Sequence, residues 1–132
     1  MGKAKKVKGI RFTLPNKVGL LSEITTAVSA AKVNITAICA YAKEDQASFT
    51  LITDGGAKAK KALTALGVEI EEKDVIEVEM PNKPGELQKV AKKIAEAGID
   101  IDYMFGTAKV GKTATCIFKT ADDPKAIKVI NK

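Results

Sequence analysis

Two short segments carry the residue types best suited to hold a small charged ligand: Pro15-Asn16-Lys17-Val18-Gly19-Leu20 and Pro81-Asn82-Lys83-Pro84-Gly85-Glu86. In each, a proline ends an extended run and an asparagine amide can bond within the turn or to a ligand. The glycine then lets something approach the backbone. A helix beginning there offers N–H groups and the positive end of its dipole, a setting that suits a carboxylate or another small anion. Lys17 and Lys83 add positive charge. The plainer alternative is that Asn and Gly only shape and cap a strand-to-helix turn. Repetition does not decide between the two, because a duplicated unit keeps its fold determinants as readily as its site.

Other chemistry finds little support. The chain has no histidine, which removes the usual catalytic triads and histidine-rich metal sites. Cys39 and Cys116 each lie inside an apolar run, so they read as buried free thiols in a reducing compartment and not as a bridge or a metal cluster. Lys73, Asp74, Asp100 and Asp102 could do acid–base chemistry in principle, but as a charge run they read as a solvated face. The expectation is a protein that is not an enzyme and uses no cofactor or metal. Gly106 to Thr113 matches the phosphate-loop pattern of Gly, four residues, then Gly-Lys-Thr. A phosphate loop needs a helix after the threonine, and Thr113 to Phe118 alternates like a strand.

The elements that must position the turns come in two copies. Leu14 to Leu21 is answered by Met80 to Leu87 at an offset of 66, the mark of an internal repeat. Before each turn, Ile10, Phe12 and Leu14, or Ile76, Val78 and Met80, alternate as a strand with one buried face. After it, Leu21, Ile24, Val28 and Ala31, or Leu87, Val90, Ile94 and Ala97, follow the spacing of an amphipathic helix face. A second alternating run follows, Val33, Ile35, Ala37, Cys39 and Tyr41 against Ile99, Ile101, Tyr103 and Phe105. A third strand comes after a hairpin, where the offset grows to 67 and Phe49, Leu51 and Thr53 fall on Cys116, Phe118 and Thr120. Short helices close the units near Ala57 to Leu66 and Pro124 to Ile130, the latter capped by Asp122 or Asp123. A last strand at Val68 to Glu72 has no counterpart in the second copy. That leaves an open sheet edge for a partner chain or the neighbouring unit to cover.

The expected fold class is therefore α+β: tandem βαββαβ repeats with antiparallel sheets and helices packed on one face. Residues 1–9 form a basic tail, 10–73 the first unit, and 74–132 a second unit lacking its last strand. Lys3, Lys5, Lys6 and Lys8 hold four of the six formal excess charges, and such a leader reads as a solvated tail. The chain carries 45% hydrophobic and 29% charged residues, the balance of a soluble globular protein. It shows neither a bilayer-length apolar run nor an apolar signal core, and Lys6 stands where an acylated Met1-Gly2 terminus would need Ser or Thr. These features point to the cytoplasm and away from a membrane. An RNA-binding module with a basic tail is the competing class. Its base-stacking aromatics would sit on central strands, whereas Phe49 and Tyr103 read as alternating toward the helices.

The turns with their following helices, and then Lys32-Val33-Asn34-Ile35 or Gly98-Ile99-Asp100-Ile101, resemble the ACT domain, a ferredoxin-like ligand-sensing module of regulators of amino-acid metabolism. From about Ile10 onward the chain looks like a tandem pair. The resemblance implies an amino acid bound where two units meet, held by the turn of one and the start of the second strand of the other. Carried over by position, the ligand-binding residues are Asn16, Lys17, Val18, Gly19 and Leu20, with Asn82, Lys83, Pro84, Gly85 and Glu86. Asn34 and Asp100 are the strand-start positions. If the units of one chain pair, Asn16 shares a site with Asp100 and Asn82 with Asn34, and the two sites are unequal, since Asp100 repels a carboxylate that Asn34 can accept. A homodimer and a partner enzyme are further implications.

Overall fold

The computed structural model describes residues 3–107 and 111–132. In chain order the elements are β1 (Lys3–Pro15), α1 (Leu20–Ala30), β2 (Ile35–Lys43), β3 (Gln46–Thr53), α2 (Gly56–Ala65), β4 (Glu71–Pro81), α3 (Glu86–Glu96), β5 (Ile101–Thr107), β6 (Thr113–Thr120) and α4 (Asp123–Ile130). They fall into two compact units, Lys8–Lys73 and Met1–Val7 with Asp74–Lys132, called the first and second unit below. The fold is ferredoxin-like in tandem, as the sequence predicts.

In the first unit β1 and β2 flank β3, both antiparallel to it. Ile10, Phe12, Phe49 and Leu51 of the sheet meet Leu20, Ile24 and Val28 of α1 and Ala59 and Leu63 of α2 on one face. Val68 joins this core and Ile70 packs against it, but regular strand structure begins only at Glu71. In the second unit β6 pairs with β4 and β5, again antiparallel. Its core is built from Ile76, Val78, Met80, Cys116 and Phe118 beneath Val90, Ile94, Ala126 and Ile130. Each fully buried aliphatic side chain contributes about 1.5–3 kcal/mol, so these two clusters carry most of the stability.

The segment read as a solvated basic tail is the first part of β1, and it lies beside β4 in the second unit. Ala4 is buried in that unit's core. The Asn131 side chain clamps its backbone from both sides: the Ala4 N–H donates to Oδ1 at 2.7 Å, and Nδ2 donates to the Ala4 carbonyl at 2.9 Å. Lys5 pairs with Glu77 at 3.3 Å and Lys6 reaches Asp74 at 4.0 Å. Acidic residues on β4 thus pair with two of the four lysines that make the segment look like a tail. The same segment covers the sheet edge that the sequence leaves open.

A second departure occurs in the edge strands. Both copies carry a register shift near the strand start, between Ile35 and Ala37 in β2 and between Ile101 and Tyr103 in β5. A bulge of this kind reverses the alternation beyond it. Ile38 and Ala40 therefore stand opposite Leu51 and Phe49 on the helix-covered face, and Met104 and Gly106 opposite Phe118 and Cys116. Cys39, Tyr41, Tyr103 and Phe105 turn to the other face, where a strict period of two would not put them. The helix faces also begin one residue earlier than expected. Leu20 and Glu86 are buried, while Leu21 and Leu87 are about half exposed.

Candidate ligand-binding site

The two turns share one geometry. Gly19 and Gly85 both stand at the helix N-cap with φ of 86°, a left-handed conformation that makes glycine the natural choice. A Cβ at either position would meet nothing within 4 Å, so the backbone and not crowding demands glycine. No side chain caps α1 or α3. By contrast, α4 is capped by Asp122, whose Oδ1 accepts from the Lys125 N–H at 3.2 Å. Backbone bonds fasten each turn to its neighbouring hairpin. The Asn16 N–H donates to the Asp45 carbonyl at 2.7 Å, and the Asn82 N–H to the Lys112 carbonyl at 2.9 Å. The Asn82 Nδ2 adds a bond to the Gly111 carbonyl at 3.2 Å, so part of the role of this asparagine is structural.

Electrostatics separate the copies. Lys17 pairs with Glu23 at 2.9 Å, which neutralises the first turn. In the second turn the residue equivalent to Glu23 is Lys89, which pairs with Glu86 at 2.8 Å. The hydrogen bond from Lys89 holds the Glu86 carboxyl below the usual carboxylate range, with Lys83 adding to the effect. Two lysines about one carboxylate leave the second turn net positive. Val18 and Pro84 are both exposed at the turn tips.

The second turn opens on a cavity of about 360 Å³ that the sequence does not announce. Met80, Asn82, Lys83, Glu86, Leu87, Met104, Gly106 and Cys116 are among its lining residues; Met80, Glu86 and Cys116 are buried, while Lys83, Leu87 and Met104 are exposed. Its size sits near the lower end of small-molecule pockets, roughly 300–1,000 Å³. Met104 and Gly106 reach it because of the β5 bulge. Cys116 sits beneath Gly106, where an added Cβ would come within 2.6 Å of the Cys116 Sγ. Burial pushes the Cys116 thiol up, so it is a neutral thiol at physiological pH. In the first unit the equivalent of Cys116 is Phe49, stacked on Phe12 with ring centroids 4.9 Å apart. A smaller cavity of about 220 Å³ flanks the first turn, bordered by Lys17, Glu23, Leu66 and Val68.

The strand-start residues lie apart from the turns of their own units. Asn34 and Asp100 stand beyond the C-terminal ends of α1 and α3, and an eleven-residue helix is roughly 16 Å long. Asn34 is tied to Asp54: its N–H donates to Oδ1 at 2.9 Å, and its carbonyl accepts from the Asp54 N–H at 3.1 Å. The Asp100 carbonyl accepts from the Ala121 N–H at 2.9 Å.

The remaining candidates resolve simply. Gly106 and Thr107 end β5 and Thr113 opens β6, so no helix follows the phosphate-loop pattern; its residues 108–110, like the Met1-Gly2 terminus, lie outside the described residues. Tyr103 faces away from the helices, opposite Lys119, contrary to the alternation read from sequence. It sits on β5 at the end of the strand order, and the central strand β4 carries Glu77 and Glu79, whose charge opposes a phosphate backbone. With the basic segment built into β1, an RNA-binding reading loses its arm as well. Among the described residues no helix is long and apolar enough to cross a membrane, and no group of three or more His, Cys, Asp or Glu is placed to hold a metal.

Two βαββ-type units, each presenting a glycine turn at an uncapped helix start, define a tandem ferredoxin-like module. The chain belongs to the ACT domain pair family, whose profile matches residues 6–132, and ACT domains are regulatory modules. Protein BT0572 from Bacteroides thetaiotaomicron is similar in structure, with a TM-score of 0.89 and 29% identity over 96% of this chain and 88% of that one. The ligand-free regulatory subunit of aspartate kinase from Thermus thermophilus shares the fold at a TM-score of 0.68, with 16% identity over 98% of this chain and 93% of that one. The aspartokinase alpha and beta subunits do so at 0.65, with 19% identity over 97% and 94%. No curated protein matches the sequence at a significant level.

Proposed function

We propose that this chain is a non-catalytic regulatory protein of amino-acid metabolism that binds an amino acid at its strand-to-helix turns. The observation that carries the reading is the pair of helices, α1 and α3, that start at a left-handed glycine with no side-chain cap. Their leading N–H groups suit a carboxylate. Asn16 to Leu20 and Asn82 to Glu86 form the two carboxylate-binding turns. Asn34 and Asp100 serve as the complementary strand-start contacts, which requires a turn from one unit and a strand start from another. The regulatory subunit of aspartate kinase has this fold, which supports action on a partner enzyme; a homodimer in the cytoplasm is part of the same proposal.

A thermal-shift panel over the common amino acids tests the reading. A ligand present at one hundred times its dissociation constant adds about 2.7 kcal/mol of stability, which a melting curve resolves easily. Asn16→Ala and Asn82→Ala should each weaken the response while the unliganded fold persists. A flat response to every amino acid at millimolar concentration would remove the proposal.

A further inference from the structure

We propose that the cavity between α3 and β5 of the second unit is the side-chain pocket of the bound ligand, and that it selects an α-amino acid with an uncharged, apolar side chain. This rests on the reading of the turns as amino-acid sites and specifies what the second of them takes.

The walls set the polarity. Lys83 and Glu86 are the charged residues of the lining and stand with Asn82 in the turn, while Met80, Leu87, Met104 and Cys116 line the rest. Met80 and Cys116 are buried and Leu87 and Met104 border solvent, so a charged ligand side chain that reaches the buried end would lose its hydration without gaining a counter-ion. The Cys116 thiol, held neutral by burial, offers no anion to a cationic side chain. At the turn, the net positive charge and the N–H groups of α3 receive the carboxylate, and Glu86, which pairs with Lys89, is the acidic residue of the lining that can meet the ammonium.

The repeat sets the size. Phe49 occupies the position of Cys116 in the first unit, with its ring against Phe12, and Val78 stands where Phe12 does. Exchanging a phenylalanine pair for valine and cysteine leaves a volume on the order of a phenyl ring. The ligand side chain takes the place that the Phe49 ring fills in the other copy. Methionine walls are flexible and polarisable, so the pocket reads polarity and bulk more strictly than branching.

Calorimetric titration of the full chain with methionine, leucine and phenylalanine, against lysine, aspartate and threonine, tests this. The apolar set should bind and the charged members should not. Cys116→Phe restores the first unit's residue and should weaken apolar binding at least tenfold. Met104→Glu, a change on a partly exposed edge strand, should do the same through charge and stands in if the phenylalanine variant does not fold. Binding of only charged or polar amino acids would overturn the pocket assignment and leave the amino-acid reading intact. So would apolar binding that neither variant alters. Failure of every amino acid to bind would overturn both.

Discussion

The first and second units carry the same elements in the same order, yet they use the space beneath their edge strands in opposite ways. In the first, Phe12 and Phe49 stack and Leu20 fills the head of the helix face. In the second, Val78, Cys116 and Glu86 hold those positions, and a cavity of about 360 Å³ opens beside the turn. The closing helices differ as well. Asp122 caps α4, and Asp123 accepts from the Thr120 N–H at 2.9 Å, the Thr120 hydroxyl at 2.6 Å and Lys119 at 2.9 Å. The first unit has Gly55 and Gly56 there, and α2 starts without a side-chain cap. Duplication kept the scaffold, while one copy invested its core in packing and the other in an opening held by polar anchors.

The contrast can be broken by mutation. Phe49→Ala should cost about 3–5 kcal/mol, as removal of a buried aromatic does, whereas Cys116→Ala, deleting one heavy atom beside an existing cavity, should cost about 1 kcal/mol. Urea midpoints at constant slope measure both, and equal losses would mean that the two sites are packed alike.

Asp123→Ala should cost about 2–3 kcal/mol, because it leaves Thr120 and Lys119 without their charged acceptor. Burial pushes the Asp123 carboxyl up, but hydrogen bonds from the Thr120 hydroxyl, Lys119 and the Thr120 N–H outweigh it and hold the group below its usual range. Its stabilisation is therefore complete above the unfolded-state value and is lost as pH falls through the lower folded-state value. Acid unfolding followed by circular dichroism should be shallower in Asp123→Asn than in the parent chain. An unchanged acid limb would assign the acid sensitivity to other carboxylates.

The smallest expected effect concerns the residue that ends each first helix. Lys32 has φ of 58° where its counterpart Gly98 has φ of 73°. A left-handed position costs a non-glycine residue about 1 kcal/mol. Lys32→Gly should raise stability by about that amount and Gly98→Lys should lower it by a similar amount, as melting temperatures would show. Two shifts of the same sign would overturn the equivalence of these positions.

The turns themselves were legible because their determinants are local. Pro15, Asn16 and Gly19, and their copies, encode an extended end, a turn and a helix start within a few residues. The helix faces were read correctly at Ile24, Val28, Val90 and Ile94 and wrongly at their first residue, since Leu21 and Leu87 are apolar yet border solvent, while the charged Glu86 is buried with Lys89 as its partner. The cavity was not legible. Its lining comes from β5 and β6 as well as the turn, and the bulge that sets Met104 and Gly106 opposite Phe118 and Cys116 has no fixed residue signature.

The sequence by itself determined that this chain is one unit written twice, the order of elements in each copy, and where each turn lies, because periodicity and turn chemistry act over neighbouring residues. Only the tertiary structure decided that a lysine-rich leader is a strand completing the second unit. It also decided that the edge strands change face partway, and that one copy is open where the other is filled. Strand partnership and cavity volume depend on residues far apart in the chain, and a local pattern of charged and apolar side chains carries no record of which distant strand will sit beside it.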